Sequence, residues 1–210
     1  MAQMLFYENV SAVSPQRHGD LSIDRENFEF AANVNSVPLM AVEMTAAASE
    51  YTIVFAGDDK NVMPVVILGL EGTKNYYVGK DGNWTADYIP AFVRRYPFVF
   101  AQNENQFTLC VDEEWSGCNR EGKGQRLFDD KGERTEYLNR MLKFLEESQA
   151  HFARTQTYCN HLKELELLEP MKADFTFPGG EKKSLGGFMA VNREKLKNLP
   201  PEKLAELAKT

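Results

Sequence analysis

Hydrophobic residues follow two spacings along the chain, one typical of strands and one typical of a helix. The strand-like spacing fills the first half, where short runs rich in β-branched and aromatic residues cover residues 37–40, 51–55, 62–70, 75–78, 98–101 and 106–111. Pro38 cannot donate a hydrogen bond to a ladder, so the first run is predicted to lie at a sheet edge. Because the runs are close in sequence, the predicted sheet is mainly antiparallel, with about five to six strands.

The helical spacing is clearest over residues 136–169, where apolar side chains recur three and four positions apart. These side chains are Leu138, Met141, Leu142, Leu145, Phe152, Leu162, Leu165 and Leu168. Residues 155–157 are the weakest part of the pattern, so one long helix or a tight helical pair is expected, and Pro170 is predicted to end it. Shorter helices are predicted over residues 41–50, 86–94 and 201–210.

The rest of the chain predicts turns and loops. Most of residues 1–40 lack a periodic pattern and are expected to wrap around the domain. Residues 115–134 contain four glycines and many charges, which predicts a long loop anchored by Leu127 and Phe128. A hairpin is predicted between residues 175–177 and 186–189. The predicted fold class is α+β: a single domain over residues 1–210, with a mainly antiparallel sheet of about five to six strands packed by a long C-terminal-half helix.

Composition and charge exclude several classes of protein. A hydrophobic content of 43% and an aromatic content of 11% predict a packed globular core. The longest apolar run, 63–70, is too short to cross a bilayer, so no membrane span is expected. The N-terminal sequence lacks the pattern of a secretion signal, which favours a cytoplasmic location. A formal charge of −7 argues against a nucleic-acid partner, and three cysteines without a CxxC pair predict reduced thiols.

No catalytic, metal or cofactor motif is recognisable, so none of the three is predicted. The histidines His18, His151 and His161 lack the spacing of metal ligands. Cys110 and Cys118 are interpreted as structural thiols, because the first lies in an apolar strand and the second lies beside acids that would raise its pKa. Acidic residues are abundant at 112–114 and 129–130, but their spacing is not that of a calcium-binding loop.

The most distinctive stretch is 75–100, where aromatic residues alternate with two adjacent arginines. A ligand-binding surface for a carboxylate, a sugar or an aromatic group is predicted there, because paired guanidiniums bind oxyanions and aromatic faces stack. Its candidate residues are Trp84, Tyr88, Arg94, Arg95 and Tyr96. The same residues also fit a scaffold, in which Trp84, Tyr88 and Phe92 share one helical face and an arginine pairs with a buried acid such as Glu43. Both interpretations stay open.

The motif pattern as a whole resembles the bacterial SapC family over nearly the whole chain. The resemblance is carried by Pro38-Leu39 with Glu43 and Ala47, YTIVF at 51–55, ILGL at 67–70, NYYV at 75–78, DGNWTADYIPAFVRRYPF at 81–98, LCVDEE at 109–114, RLFDDKGE at 126–133, LGGF at 185–188 and the tail LPPEKLAEL. It implies a family named for association with a bacterial surface layer. It also implies gene neighbourhoods shared with outer-membrane receptors and flavin-dependent halogenase-like proteins. Other members continue into a further C-terminal helix, so the SapC-like domain over residues 1–210 is expected to lack it.

The resemblance carries over no catalytic residue. We therefore expect a cytoplasmic bacterial accessory or regulatory protein, non-enzymatic, that binds a protein or a small ligand at the aromatic and arginine surface. One alternative is an enzyme or oxygenase partner that acts on an amino acid, peptide or carbohydrate-derived ligand, with Asp112 and Glu113 near the groove. Another is a component of surface-layer assembly or of peptide transport or export. The oligomeric state stays open.

Overall fold

Every strand pair in the described part of this computed structural model, which covers residues 5–58, 61–103 and 106–209, is antiparallel. The elements in chain order are β1 (Val10–Ala12), α1 (Pro15–His18), β2 (Ser22–Ile23), β3 (Ser36–Pro38), α2 (Met44–Ala47), β4 (Thr52–Gly57), β5 (Val62–Ile67), α3 (Ala91–Arg94), β6 (Phe98–Asn103), β7 (Gln106–Asp112), β8 (Cys118–Asn119), β9 (Gln125–Arg126), α4 (Glu136–Glu164), β10 (Leu168–Thr176), β11 (Lys182–Val191), α5 (Arg193–Lys197) and α6 (Pro201–Leu207). Two 3-10 helices lie at Glu29–Ala31 and Ala41–Glu43. The predicted α+β class is confirmed.

The strands divide among three sheets rather than one. The largest has five strands in the order β10-β11-β4-β5-β3, so β3 with its Pro38 lies at an edge as predicted. The β4–β5 hairpin is confirmed; its turn includes residues 59 and 60, which lie outside the described residues. The strand predicted over 75–78 is wrong, because this stretch forms only one isolated bridge, between Val78 and Trp84. The backbone that follows this stretch turns at Gly82, which has a φ of 77°.

The two smaller sheets assemble segments that are far apart in sequence. One has the order β1-β7-β6, in which Val10 lies opposite Asp112. The turn predicted between β6 and β7 includes residues 104 and 105, which are not described. The other, β8-β2-β9, forms within the long loop predicted over 115–134 and joins it to the N-terminal segment. Leu127 and Phe128 are buried there, as their predicted anchoring role requires.

The long helix α4 packs against the β1-β7-β6 sheet and against the five-stranded sheet. Its first half buries Leu138 and Leu145 against Phe98 and Val111, and its second half buries Leu162 in a separate cluster with strands of the five-stranded sheet. The side chain of Thr135 caps its start by accepting a hydrogen bond from the backbone N–H of Leu138. One continuous helix therefore bridges the two sheets.

The helix predicted over 136–169 is present, but its predicted C-terminal end is wrong. The weak point at 155–157 remains helical, because the Thr155 hydroxyl donates to the His151 carbonyl at 2.7 Å and accepts from the backbone N–H of Ala41 at 2.9 Å. The helix ends at Glu164, and Glu166 adopts a φ of 51° before the chain enters β10. Pro170 thus lies inside an edge strand, a position that tolerates a residue without an N–H.

The shorter helices are smaller than predicted, and the C-terminal hairpin is larger. Residues 41–50 form a 3-10 turn followed by the four-residue α2, and residues 86–94 are helical only from Ala91. The hairpin extends over β10 and β11, and α6 forms in the predicted tail. Within the described residues, no helix is both long enough and apolar enough to cross a membrane.

Gly124 and Gly122 provide a matched test of how β2 and β9 approach each other. Both have a positive φ, 79° and 77°, but a Cβ on Gly124 would lie 2.2 Å from the Ile23 carbonyl oxygen, whereas one on Gly122 would meet nothing within 4 Å. We expect Gly122→Ala to lower the free energy of unfolding by about 1 kcal/mol through backbone strain alone. Gly124→Ala should lower it clearly further, because β2 must also move. Equal losses in urea unfolding would contradict the packing of this sheet.

Candidate functional site

The five residues of the predicted aromatic and arginine surface lie along one connection that leads into β6. Trp84 and Tyr88 are half-buried in irregular backbone before α3. Arg94 is the last residue of α3, and Arg95 and Tyr96 follow it. The predicted helical face that joins Trp84, Tyr88 and Phe92 is not formed, since Pro90 occupies the position that precedes the first helical residue. The ligand-binding role of the five residues remains a prediction.

A buried carboxylate holds this connection in place. Glu43 is 5% exposed. Its Oε1 accepts the Tyr88 hydroxyl and the backbone N–H of Ala91, both at 2.7 Å, and its Oε2 accepts the backbone N–H of Met40 at 2.9 Å. Burial, followed by the hydrogen bond to Glu43, raises the pKa of Tyr88. The predicted pairing of Glu43 with an arginine is therefore wrong: its partners are a tyrosine and two backbone amides.

A second carboxylate fixes the same connection from the end of the 41–50 segment. Glu50 accepts the backbone N–H groups of Asp87 at 2.7 Å and Tyr88 at 3.0 Å. The adjacent Tyr51 donates its hydroxyl to the Tyr88 carbonyl and accepts the indole N–H of Trp84 at 2.7 Å. The indole N–H of Trp84 and the hydroxyl, backbone N–H and carbonyl of Tyr88 are thus all engaged inside the protein.

Tyr96 is the centre of an aromatic cluster and is 3% exposed. Its ring stacks on Phe30 at a centroid distance of 4.2 Å and meets three further rings at 5.1 to 5.2 Å, which belong to Phe6, Tyr7 and Trp115. Its hydroxyl donates to Asp112 at 3.3 Å, and burial next to that carboxylate raises the pKa of Tyr96. The structure therefore places Tyr96 in the core, beneath the surface that carries the arginines.

Asp112 is also committed to the fold. It is 1% exposed and accepts the backbone N–H groups of Glu8 at 2.8 Å and Asn9 at 3.2 Å, in addition to the Tyr96 hydroxyl. These contacts hold the N-terminal segment against the end of β7. Because Asp112 is buried and its oxygens already accept these three hydrogen bonds, it is poorly placed to contact a substrate.

Arg94 and Arg95 point to different surroundings. The exposed Arg94 donates from Nε to the Ile89 carbonyl at 2.9 Å, and its guanidinium lies 5.2 Å from the Phe144 ring centroid. Arg95 is half-buried, with its guanidinium 4.1 Å from the Phe92 ring centroid and 5.8 Å from that of Tyr7. Its Nε and Nη2 atoms are buried and have no hydrogen-bond partner among the residues that the structure describes. Aromatic faces attract this cation, but they accept none of its in-plane N–H groups.

A third arginine, absent from the prediction, completes what we call the arginine cluster: Arg25, Arg94 and Arg95. Arg25 donates from Nη1 to the Arg94 carbonyl at 2.9 Å. Burial lowers the pKa of Arg25, with an opposing contribution from nearby Tyr137 and Tyr7. Arg25 lies 69 residues from Arg94 in sequence, so no local motif could have joined them. In the described part of the chain, no ion pair within 4.0 Å involves any of the three guanidiniums.

An open depression of about 340 Å³ lies beside Arg25. Its lining includes Tyr137 and Gln125, whose side chains can donate hydrogen bonds, together with Asp24 and Met141. A second open depression of about 500 Å³ lies elsewhere, between Pro15 and Asn139, and contains none of the predicted site residues. The first depression therefore places a partly buried cation beside accessible space.

The cluster around His18 has some of the components of a hydrolytic triad but not the geometry. His18 is fully buried; its Nε2 lies 3.2 Å from the Ser11 hydroxyl and 3.4 Å from Glu113, which also pairs with Arg17. Its Nδ1 accepts the backbone N–H of Ser14 at 3.2 Å. This assigns the proton of the neutral ring to Nε2, the nitrogen that a serine nucleophile would need as its base. The cluster therefore closes the N-terminal segment over β7 and does not activate Ser11.

The thiols are poorly placed to act as nucleophiles. Burial raises the pKa of Cys110, and burial together with Asp112 and Glu113 raises the pKa of Cys118 to about 12. Burial also raises the pKa of Cys159, to about 11. Since the thiolate is the reactive form, these environments suppress reactivity. Across residues 5–58, 61–103 and 106–209, no group of three His, Cys, Asp or Glu side chains could hold a metal ion.

Comparison with known proteins gives one match. The family model described as SapC matches residues 13–210. The matched range contains the whole arginine cluster and both carboxylates that hold the connection. Searches of the curated proteins and of the solved structures gave no match.

Removing the Glu43 carboxylate tests its role as the support of the site. Glu43→Ala leaves the Tyr88 hydroxyl and the backbone N–H groups of Met40 and Ala91 without their acceptor. We expect it to lower the free energy of unfolding by about 3 kcal/mol, and Glu43→Gln by less, because one acceptor oxygen is kept. Glu146→Ala, at an exposed position of α4, is the matched control. Urea unfolding curves in which Glu43→Ala and Glu146→Ala coincide would refute this role.

The burial of His18 predicts that the stability of the protein depends on pH. Burial is the main cause that lowers the pKa of His18, and the nearby Glu113 only partly opposes it. As the pH falls below about 6.5, the unfolded chain takes up a proton at this position before the folded protein does, so the free energy of unfolding decreases. His18→Gln should flatten this dependence, whereas His151→Gln and His161→Gln should keep it. An unchanged slope in His18→Gln, measured by denaturant unfolding across the pH range, would show that another group is responsible.

Proposed function

The chain belongs to the SapC family, and we propose that it is a cytoplasmic bacterial accessory or regulatory protein, non-enzymatic, which binds an anionic group of a protein or a small ligand. The binding residues in this proposal are Arg25, Arg94 and Arg95, with the rings of Trp84 and Tyr88 beside them. Tyr96 contributes indirectly, since it supports the arginines from the core.

The observation that carries the proposal is that partly buried guanidiniums have no acidic partner within the described part of the chain. Arg95 has two buried N–H positions with no acceptor, and burial lowers the pKa of Arg25. An unpaired buried charge and an unsatisfied buried donor both destabilise a folded protein. A bound carboxylate or phosphate oxygen would supply the missing acceptor and the missing charge together.

Size and charge narrow the class of ligand. The depression beside Arg25 is open to solvent, which suits a single acidic group or an acidic side chain of a partner better than an enclosed metabolite. The protein carries a formal charge of −7, which repels a long polyanion before contact. A single carboxylate or phosphate group on a protein or small molecule therefore fits best.

The acids named for the enzymatic alternative give it little support. Asp112 accepts three hydrogen bonds from the protein itself, and Glu113 pairs with Arg17. A general acid or base needs a proton position that faces the substrate. The cationic residues are the ones with unused hydrogen-bonding capacity, which favours binding over proton transfer.

The test compares partner binding by the wild type and by arginine variants. Arg25→Gln and Arg95→Gln remove the charges and keep part of the side-chain volume, so each should weaken binding about tenfold or more. Immobilised protein would capture partners from a lysate of the source cells, and thermal shift with acetate and with inorganic phosphate would report small anions. Arg154→Gln and Arg193→Gln, at exposed positions, are the controls. Unchanged capture and anion response together with a lower melting temperature would assign Arg25 and Arg95 to the scaffold and contradict the proposal.

A further inference from the structure

The edge strand β10 leaves one side of the five-stranded sheet open. It pairs with β11 on its inner side only, since it is the terminal strand of the sheet. Residues 170–172 and 174–176 of this strand are exposed, and Ala173 is half-buried. An exposed strand edge offers backbone N–H and C=O groups to another strand.

We propose that β10 pairs with the β10 strand of a second copy of this chain, antiparallel and centred on Ala173. In this register each residue faces the residue equally far from Ala173 on the other copy. The five-stranded sheets of the two copies would then continue into each other. The proposal is independent of the anion-binding role, because it uses none of the residues in the arginine cluster.

The first observation that favours a second copy as the partner is the order of the charged residues along β10. Lys172 and Asp174 flank Ala173, lie on the same face of the strand and form an exposed ion pair at 3.1 Å. Around a two-fold axis at Ala173, Lys172 of each copy lies opposite the partner's Asp174. The pairing therefore places two opposite-charge pairs directly across the strands, the arrangement that stabilises an antiparallel ladder.

The same charges destabilise the two neighbouring registers. In a symmetric antiparallel pairing, residues directly opposite each other face the same side of the sheet, so the two-fold axis passes through a residue. The neighbouring registers therefore have their axis at residue 172 or at residue 174. Moving the axis to residue 172 places the two lysines opposite each other, and moving it to residue 174 does the same for the two aspartates. Like charges directly opposite each other destabilise a strand pair. A lysine on an edge strand usually prevents association between sheets. Here Asp174 lies two positions after Lys172, so the charges of this edge complement those of a second copy.

The other face of the strand supplies apolar contacts in the same register. Met171 is 44% exposed and Phe175 is 36% exposed, and each would lie opposite the other residue type on the partner copy. Ala173 would face the partner's Ala173, where a small side chain lets the strands approach. The irregularity of the hairpin lies in β11, where Gly186 and Gly187 form a bulge opposite Lys172, so β10 itself stays regular along its outer edge.

Charge reversal tests the pairing without depending on the fold. Lys172→Asp and Asp174→Lys each turn two attractive pairs into repulsive ones, and each should weaken self-association about 30-fold. A mixture of these two variants should form a heterodimer, and the double swap in one chain should restore the homodimer. Lys143→Asp, on the exposed face of α4, is the control and should dimerise like the wild type. Sedimentation velocity over a concentration series measures the wild type, the four single and double variants, and the mixture.

A cysteine at the axis tests the register itself. In Ala173→Cys the two new thiols would lie within disulfide distance, since opposite Cα atoms in an antiparallel pair are about 4.5 to 5.5 Å apart. Thr176→Cys is the control, because the proposed register separates the two copies of residue 176 widely. A disulfide-linked dimer of Ala173→Cys that is absent from the wild type and from Thr176→Cys is the expected result. A monomeric wild type at every concentration, a dimer insensitive to both charge reversals, or equal cross-linking at residues 173 and 176 would overturn the proposal.

Discussion

The carboxylate of Glu43 joins the two parts of the molecule on which the candidate site stands. A buried carboxylate is tolerated only when donors surround it, and here the donors come from Met40, Tyr88 and Ala91. Tyr88 and Ala91 belong to the connection that carries Trp84 and the arginines, whereas Met40 belongs to the segment after the edge strand β3. Satisfying this one charge therefore fixes where α3 begins and where Arg94 and Arg95 emerge from it.

The position of Glu43 depends in turn on α4. The hydroxyl of Thr155, 1% exposed, accepts the backbone N–H of Ala41 and holds the 3-10 turn that contains Glu43 against the helix. The same helix packs its first half on the sheet that includes β6 and its second half on the five-stranded sheet. The arginine connection runs between these two sheets, so a single rigid helix sets both ends of it.

Acidic and basic residues near the candidate site differ in how their hydrogen-bonding groups are satisfied. The central acids Glu43, Glu50 and Asp112 are all occupied by donors from the protein. The partly buried cations Arg25 and Arg95 are surrounded by rings and carbonyls. Among the described residues, these three acids are therefore already hydrogen-bonded within the protein, whereas Arg25 and Arg95 have no acidic partner within 4.0 Å.

Segment 84–96 combines side chains that are held within the fold with two arginines of a different environment. The two interpretations of its sequence, scaffold and binding surface, exclude each other only if every side chain has one role. In the structure Trp84, Tyr88 and Tyr96 direct their polar atoms inward, whereas the two arginines leave guanidinium groups without acidic partners. The aromatic residues thus stabilise the connection, and a role of the arginines in ligand binding stays a prediction.

Local pattern alone determined the α+β class, the β4–β5 and C-terminal hairpins, the edge position of Pro38 and the existence of α4, because side-chain periodicity and turn residues act over a few positions. It failed where distant partners override local preference. Residues 75–78 have the spacing of a strand but form only one isolated bridge, and at residues 165–169 the chain leaves the helix and enters β10. Arg25 could not be found from sequence, since its contact with Arg94 spans 69 residues. Only the tertiary structure decided which charged groups have partners within the described residues. The partner of a carboxylate or guanidinium is any group that the fold brings within hydrogen-bonding distance, however far away that group is in sequence.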